Sequence, residues 1–161
     1  MKVLITGMSG TGKSTIVAML TKRGYRAIDL DTDGWSGWSH CDGNPTGANP
    51  GHDWIWNEAR LSGLLDEETQ EPLFLSGCAP NMGRFTARFD RIVLLSASAD
   101  ILLERVAVRG KNPYGKTPAE ATRIVENLRD VEPALRRVAT HEIDASQPLE
   151  KVIEGVVRVA R

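Results

Sequence analysis

The chain has 161 residues, of which 41% are hydrophobic, and its 20 basic and 21 acidic side chains leave a net charge of −1. A chain of this length can form one domain, here residues 1–161, that buries about two-thirds of its unfolded surface. The balanced charge excludes the broad positive field of a typical nucleic-acid-binding protein. Two distant cysteines argue against a disulfide framework, and no apolar run reaches the length of a membrane span. We therefore expect a cytoplasmic protein, a monomer or homodimer, that binds neither nucleic acid nor a membrane.

The first predicted strand, Lys2–Thr6, leads directly into the glycine-rich stretch GMSGTGKS. Glycines let successive backbone N–H groups point toward a phosphate chain, and the predicted helix that follows directs its positive end to the same place. In such a Gly-x-x-x-x-Gly-Lys-Ser loop the lysine contacts the β- and γ-phosphates and the serine hydroxyl binds Mg²⁺. The predicted nucleotide-binding residues here are Gly7, Gly10, Thr11, Gly12, Lys13, Ser14 and Thr15.

Strand and helix patterns alternate along the rest of the chain. Further strands are predicted at Tyr25–Leu30, Pro72–Ser76, Arg91–Ser96 and His141–Asp144. Helices are predicted at Trp54–Leu65, at Ala99–Arg109, from Thr117 with a break at Pro133, and from Pro148 onward. The stretches Gly34–Asp53 and Gly110–Lys116 are expected to be irregular. This alternation predicts an α/β fold with three α/β/α layers and a parallel, five-stranded sheet.

Two carboxylates, Asp31 and Asp33, follow the second predicted strand at the edge where such folds bind ligands. The phosphate loop followed by this Asp-x-Asp resembles the shikimate kinase and gluconate kinase branch of the small P-loop kinases, which also includes the adenylate kinases. The resemblance implies ATP and Mg²⁺ as cofactors. It also implies that Asp31 and Ser14 organise the metal and that Asp33 binds or activates the acceptor hydroxyl. The alternative is that both aspartates only solvate a turn.

Arg105 and Arg109 lie four residues apart, hence on one face of the Ala99–Arg109 helix. The resemblance implies that Arg105 stacks on adenine and that Arg109 clamps the transferred phosphate beside a lid loop at residues 110–117. Lys111 and Lys116 would assist, and Arg123 and Arg129 on the next helix are further candidates. The predicted catalytic residues are thus Lys13, Asp33 and Arg109. A solvated basic helix end is the simpler alternative.

All four tryptophans, Trp35, Trp38, Trp54 and Trp56, fall within residues 34–65, where the resembled kinases bind the phosphate acceptor. Their indoles could form a wall for a flat substrate or could pack a small subdomain. Where shikimate kinases carry a triple-glycine turn, the segment Ser76–Arg84 keeps Gly77, and Arg84 could contact an anion. The acceptor therefore stays open at this point.

The sequence predicts an ATP- and Mg²⁺-dependent kinase acting on a small molecule, with an alcohol as the acceptor group. Two alternatives remain. A nucleoside monophosphate kinase would share the fold, and a nucleotide-binding module or slow NTPase switch would share the phosphate loop.

Overall fold

A computed structural model describes residues 1–32, 34–41, 51–110 and 114–161. The central sheet is formed by five parallel strands in the spatial order β2-β5-β1-β6-β7. These strands are β1 Lys2–Thr6, β2 Arg26–Asp29, β5 Leu73–Ser76, β6 Arg91–Ser96 and β7 His141–Asp144. The predicted α/β fold and five-stranded parallel sheet are confirmed, and the strand bounds differ from the prediction by no more than one residue at each end.

Alternate residues of each central strand enter different hydrophobic cores, one on each face of the sheet. Leu4, Leu75 and Leu94 lie in one core, whereas their neighbours Ile5 and Phe74 lie in the other. Such continuous apolar strands are expected where helices cover both faces of a parallel sheet. The first core is completed by α2 Glu58–Asp66, α3 Ala99–Val108 and α5 Glu132–Val138, and the second by α1 Lys13–Lys22 and α6 Leu149–Val159.

The helix α4, Pro118–Asp130, begins as its sequence predicts. The Thr117 hydroxyl accepts a hydrogen bond from the backbone N–H of Glu120, and the Glu120 carboxylate accepts one from the N–H of Thr117. This reciprocal capping box satisfies two N–H groups that the helix itself leaves without acceptors. The predicted break near Pro133 is also present, because α4 ends at Asp130 and α5 starts at Glu132.

A β-hairpin replaces part of the predicted helix and of the predicted irregular stretch. Strands β3, Ser36–His40, and β4, His52–Trp56, pair antiparallel, and α2 begins only at Glu58. The prediction of a helix from Trp54 was therefore wrong. Alternating aromatic and β-branched residues suit a strand better than a helix start, and the Asn57 side chain caps α2 by accepting from the N–H of Arg60.

The hairpin is fixed to the rest of the fold along the outer edge of β4. The Asn81 side chain accepts a hydrogen bond from the backbone N–H of Trp56 at 3.1 Å and donates one to its carbonyl oxygen at 3.0 Å. The Trp56 indole is 2% exposed and lies in the same core as Leu30. One end of the hairpin thus rests firmly over the carboxyl ends of β2 and β5.

Candidate active site

The glycine-rich loop joins β1 to α1 at the carboxyl edge of the sheet. Gly10 has φ of +91°, and a Cβ at this position would lie 2.8 Å from the carbonyl oxygen of Leu102 in α3. A side chain is therefore excluded by contact as well as by conformation. Gly12 stands at the N-terminus of α1 and makes no side-chain capping bond, so the first N–H groups of this helix have no acceptor within it. The loop and the helix end together form a site suited to phosphate.

Lys13 folds back over this loop, where its ammonium group donates to the carbonyl oxygens of Gly7 at 2.8 Å and Met8 at 3.4 Å. Thr11 is buried and its hydroxyl donates to the carbonyl of Met8, which fixes the shape of the loop. Thr15 lies exposed in the first turn of α1. The positive charge of Lys13 therefore lies inside the concave side of the loop, where a phosphate would be drawn to it.

The Ser14 hydroxyl donates a 2.5 Å hydrogen bond to Asp29, the last residue of β2. Asp29 was not predicted as a site residue, because the pair that resembles the kinase pattern lies two positions later. Its place at the end of a strand, sixteen residues after the lysine, could have indicated it. The structure thus brings a carboxylate directly to the hydroxyl expected to bind Mg²⁺.

The groups around Ser14 fit the requirements of a magnesium ion. Ser76 and Asp29 are register partners on adjacent parallel strands, so their side chains lie on the same face of the sheet. The Ser76 hydroxyl is buried and has no hydrogen-bond partner within the described part of the chain. Mg²⁺ is usually held by one or two carboxylates, waters and substrate phosphates, so Ser14, Asp29 and an unsatisfied oxygen nearby are a suitable set. No cluster of three His, Cys, Asp or Glu residues for a metal occurs among the described residues.

The Asp31 carboxylate lies elsewhere, beneath the hairpin. Its Oδ1 accepts from the indole N–H of Trp56 at 3.2 Å, and both of its oxygens lie 3.2 Å from the backbone N–H of Cys78. Burial raises the pKa of the Asp31 carboxyl above its ordinary value, the charge of Lys13 lowers this pKa, and the charge of Asp29 raises it. Asp31 is therefore close to both Lys13 and Asp29 while facing the hairpin. The metal-binding role predicted for Asp31 stays a prediction.

Burial also raises the pKa of the Cys78 thiol, which argues against a thiolate nucleophile at this position. Gly77 precedes Cys78, and a Cβ on Gly77 would lie 2.8 Å from Asp31 Oδ1 and 2.9 Å from the Trp56 ring. The single glycine that this segment shares with the triple-glycine turn of shikimate kinases thus makes room for the carboxylate and the indole.

Arg105 lies in α3, whereas Arg109 follows the end of α3 with an extended backbone, so the prediction that both lie on one helix face was wrong. The two side chains reach different parts of the predicted nucleotide site. Arg105 donates to the carbonyl oxygen of Ala145 at 2.8 Å, in the segment that follows β7. Arg109 donates to the Ser9 hydroxyl at 3.2 Å and to the carbonyl oxygen of Tyr114 at 2.6 Å. Burial lowers the pKa of the Arg109 guanidinium, which nevertheless remains a cation at neutral pH. Arg109 therefore lies over the phosphate loop, and Arg105 lies where the predicted adenine site would be.

The other predicted basic residues are less central. Arg129 is mostly exposed and pairs with its neighbour Asp130. Burial raises the pKa of Tyr114, in the predicted lid, and the charge of Arg123 opposes this shift. Lys116 is exposed. The predicted base Asp33, and Lys111 in the predicted lid, lie outside the described residues.

The tryptophans divide into two kinds. Trp56 is in the core, and Trp35 packs against this core. The guanidinium carbon of Arg60 lies 4.0 Å from the centre of the Trp35 ring. Trp54 and Trp38 are direct cross-strand partners with ring centroids 5.7 Å apart, and Trp38 is 55% exposed. One pair therefore packs the subdomain, as one of the two predicted arrangements has it, and the other pair forms a partly exposed aromatic surface. That this surface binds a flat substrate stays a prediction.

Comparisons with known proteins agree with this geometry. The AAA domain family matches residues 3–129. The shikimate kinase 2 of Yersinia enterocolitica is 27% identical, with 98% of this chain and 94% of that protein covered. A nucleotide-binding protein of Deinococcus radiodurans is 25% identical over 94% of this chain, which spans 51% of that protein.

Solved structures with the same fold include two kinases of the resembled groups. The shikimate kinase of Acinetobacter baumannii has a TM-score of 0.66 at 20% identity, with 98% of this chain and 91% of that one covered. A gluconokinase of Sinorhizobium meliloti has a TM-score of 0.60 at 21% identity, with 99% and 93% covered. A deoxyadenosine kinase of M. mycoides with bound dATP has a TM-score of 0.61 at 15% identity, with 99% and 98% covered.

The fold and the phosphate loop are those of the P-loop kinases, so the class of protein is a nucleotide-binding phosphotransferase. The chain belongs to the AAA domain family. Within the described residues, no helix is both long and apolar enough to cross a bilayer.

Proposed function

We propose that the protein is a kinase that transfers the γ-phosphate of ATP to a hydroxyl group of a small molecule, with Mg²⁺ as the metal. The observation that carries the proposal is that two carboxylates near the phosphate loop contact different parts of the site. Asp29 contacts the proposed metal ligand Ser14, whereas Asp31 faces the hairpin. A phosphate-binding loop that serves only as a switch has no need of a second carboxylate facing away from the nucleotide.

In this proposal the nucleotide phosphates lie in the loop formed by residues 7–15, with Lys13 between the β- and γ-phosphates. Ser14 and Asp29 hold the Mg²⁺, which when bound neutralises charge on the phosphates. Arg109 adds a second cation above the loop, close to Ser9. Arg105 lies beside the segment after β7 and contacts the base. Closure of residues 110–117 over the nucleotide excludes water from the reaction.

The acceptor side is assigned to Asp31. Its Oδ1 accepts from Trp56 and Cys78, whereas among the described residues Oδ2 has only the shared N–H of Cys78. Oδ2 is therefore the oxygen that accepts the proton of the substrate hydroxyl. As this proton leaves, the hydroxyl oxygen forms a bond to the γ-phosphorus, and the bond from that phosphorus to the β-γ bridging oxygen breaks to release ADP.

Asp33, the base predicted from the resemblance, remains a candidate for the same task. The two assignments differ in one respect that can be measured: if Asp31 is the base, replacing it removes transfer while leaving the nucleotide bound.

The test measures ADP release from Mg·ATP with a panel of sugar acids, shikimate, nucleosides, nucleoside monophosphates and aminoglycosides. The Lys13→Ala protein serves as the blank, because removing this cation should lower turnover at least 10²-fold without unfolding a partly exposed site. Stimulation of ADP release by one class of acceptor in the wild-type protein supports the kinase. Wild-type turnover in Lys13→Ala, or slow hydrolysis that no acceptor changes, would contradict it and favour an NTPase switch.

A further inference from the structure

The aromatic face of the β3–β4 hairpin carries two cross-strand pairs next to the proposed transfer centre. Trp38 lies opposite Trp54, and His40 lies opposite His52, with the imidazole centroids 6.0 Å apart. Side chains alternate along a strand, so these four rings and Trp56 all project from one face. We refer to Trp38, Trp54, His40 and His52 as the aromatic ladder.

The ladder is connected to Asp31 by hydrogen bonds. The indole N–H of Trp54 donates to the backbone carbonyl of Asp31 at 3.0 Å, and that of Trp56 donates to its carboxylate at 3.2 Å. The face that carries the exposed rings is thus the same face that holds the carboxylate beside Lys13. An acceptor lying on Trp54 and Trp38 would have its near end at Asp31.

The charges around the ladder disfavour an anionic acceptor. The described residues 34–41 and 51–57 include no lysine or arginine, and their ionisable side chains besides Cys41 are the buried Asp53 and the two ladder histidines. Of the nearby arginines, Arg60 donates to the carbonyl of Gly34 at 2.8 Å and lies over Trp35, and Arg84 pairs with Glu58 at 2.7 Å. A carboxylate or phosphate on the acceptor would approach the carboxylates of Asp31 and Glu58, and the described hairpin strands offer it no lysine or arginine, which costs binding energy.

A separate opening lies beside the same hairpin, and none of the four ladder residues lines it. This cavity of about 400 Å³ combines backbone, hydroxyl and amide groups and the carboxylate of Glu58 with the apolar side chains of Ile55 and Trp56. Its lining residues are Gly34, Ser36, Gly37, Ser39, Ile55, Trp56, Asn57, Glu58 and Asn81. These groups suit hydroxyl and amino substituents.

The geometry points to an acceptor that carries a flat-faced ring and a free hydroxyl and has no net negative charge, stacked on Trp38 and Trp54 with its hydroxyl at Asp31. Sugars and nucleosides share this chemistry, because an indole face attracts both the C–H face of a pyranose and a nucleobase. The inference rests on the proposed kinase function for the direction of the acceptor hydroxyl. The binding surface itself does not depend on transfer.

Binding is measured by tryptophan fluorescence with Mg·ADP present, using matched probes that differ in charge. Adenosine is paired with AMP, glucose with glucuronate, and kanamycin is added as a cationic ring compound. We expect at least one uncharged or cationic ring to bind and its charged counterpart to bind at least tenfold more weakly. Equal or tighter binding of the anions would overturn the inference, and so would the absence of binding by every uncharged or cationic ring at millimolar concentration.

The variants separate stacking from folding. Trp38→Ala removes an exposed ring and should weaken binding of the responsive probe about tenfold, while Trp38→Phe keeps a ring and should restore most of the affinity. Trp35→Phe is the matched control, because Trp35 precedes β3, packs against the core and has Arg60 over its ring, and it should bind the probe as the wild type does. Unchanged affinity in Trp38→Ala would overturn the role of the ladder.

The kinase and the ladder can fail separately. ADP release stimulated by gluconate or shikimate would support the kinase and overturn the inferred acceptor class. Binding of an uncharged ring that depends on Trp38 but stimulates no ADP release would support the ladder and contradict the kinase.

Discussion

The two halves of the candidate site are built from different materials. The nucleotide half, made by residues 7–15 with Arg105 and Arg109, uses backbone amides and cations around a loop whose shape is set by glycine. The proposed acceptor half, made by Asp31, Cys78 and the hairpin, uses indole rings, imidazoles and carboxylates and has no lysine or arginine on its strands. If the proposed function is correct, the cations that bind phosphate lie mainly on one side of Lys13, and the second substrate is recognised by other interactions.

The sharpest test of this division is the pair of carboxylates at its boundary. Asp31→Asn should lower kcat by about 10²- to 10⁴-fold because it removes the proton acceptor, while the Mg²⁺ concentration for half-maximal rate stays the same. Asp29→Asn should instead raise that Mg²⁺ requirement about tenfold. Initial rates measured over a range of Mg²⁺ concentrations distinguish the Asp31→Asn and Asp29→Asn variants, and Asp33→Asn is measured in the same way. The reverse pattern would exchange the two roles, and a loss confined to Asp33→Asn would return the base to that residue.

Gly77→Ala tests how closely Gly77, Asp31 and Trp56 pack in the acceptor half. The new methyl group would press against Asp31 and the Trp56 ring, so we expect about 1–3 kcal/mol of destabilisation and a several-fold higher KM for the acceptor. The Kd of Mg·ATP should not change. Gly63→Ala is the matched control, since Gly63 lies in α2 with no atom near the added methyl, and it should be neutral or slightly stabilising. Weaker ATP binding in Gly77→Ala would show that the halves are not separate.

Arg105→Ala acts only on the nucleotide half. Losing the guanidinium that bonds the carbonyl of Ala145 should raise the KM for ATP several-fold and leave the KM for the acceptor unchanged. Both constants come from steady-state kinetics with each substrate varied in turn. Arg137→Ala, on the surface of α5, serves as the control for loss of one positive charge. A change in the acceptor KM would contradict the assignment.

Arg136 lies in α5, outside both halves of the site, so Arg136→Ala shows how much a change elsewhere in the fold affects stability and kinetics. Its guanidinium bonds Glu132 and Glu142 at 2.8 Å each, and the hydrogen bond from Arg136 lowers the pKa of Glu142. Because the pKa of Glu142 is lower in the folded protein than its ordinary value of 4.5, the interaction stabilises the fold fully at pH values above 4.5. This contribution is lost as the pH falls through the folded-state pKa. We expect a loss of about 1–3 kcal/mol at pH 7, because the buried carboxylate of Glu132 would lose its cation. The pair with Glu142 is partly exposed and adds less.

Thermal unfolding of wild type and Arg136→Ala at pH 7 and well below pH 4.5 measures this effect, and the difference between them should shrink at low pH. A constant difference would assign the loss to packing. Unchanged kcat and KM of Arg136→Ala at pH 7 would show that a loss of stability alone does not change the kinetics, so the kinetic effects of the site variants are local to the site.

The nucleotide half could be predicted because its chemistry depends on backbone shape, and glycine spacing determines that shape. Lys13, Ser14 and the strand-loop-helix context were all evident from the residues of one stretch. The acceptor half could not be predicted in the same way, because it depends on which side chains meet across a hairpin. Trp54-Ile55-Trp56 was assigned to a helix and His52-Asp53 to an irregular stretch, whereas all five residues form β4. The contact of Ser14 with Asp29 depends on how β2 ends beside α1.

The contact of Asn81 with the edge of β4 has a consequence for assembly. A two-stranded hairpin ordinarily leaves unpaired backbone groups on each outer edge, where a strand of another molecule can add and start aggregation. Here one amide side chain occupies both the N–H and the C=O of Trp56, as a third strand would. The protein thereby keeps an aromatic-rich hairpin at its surface without offering this part of the edge to a neighbouring chain.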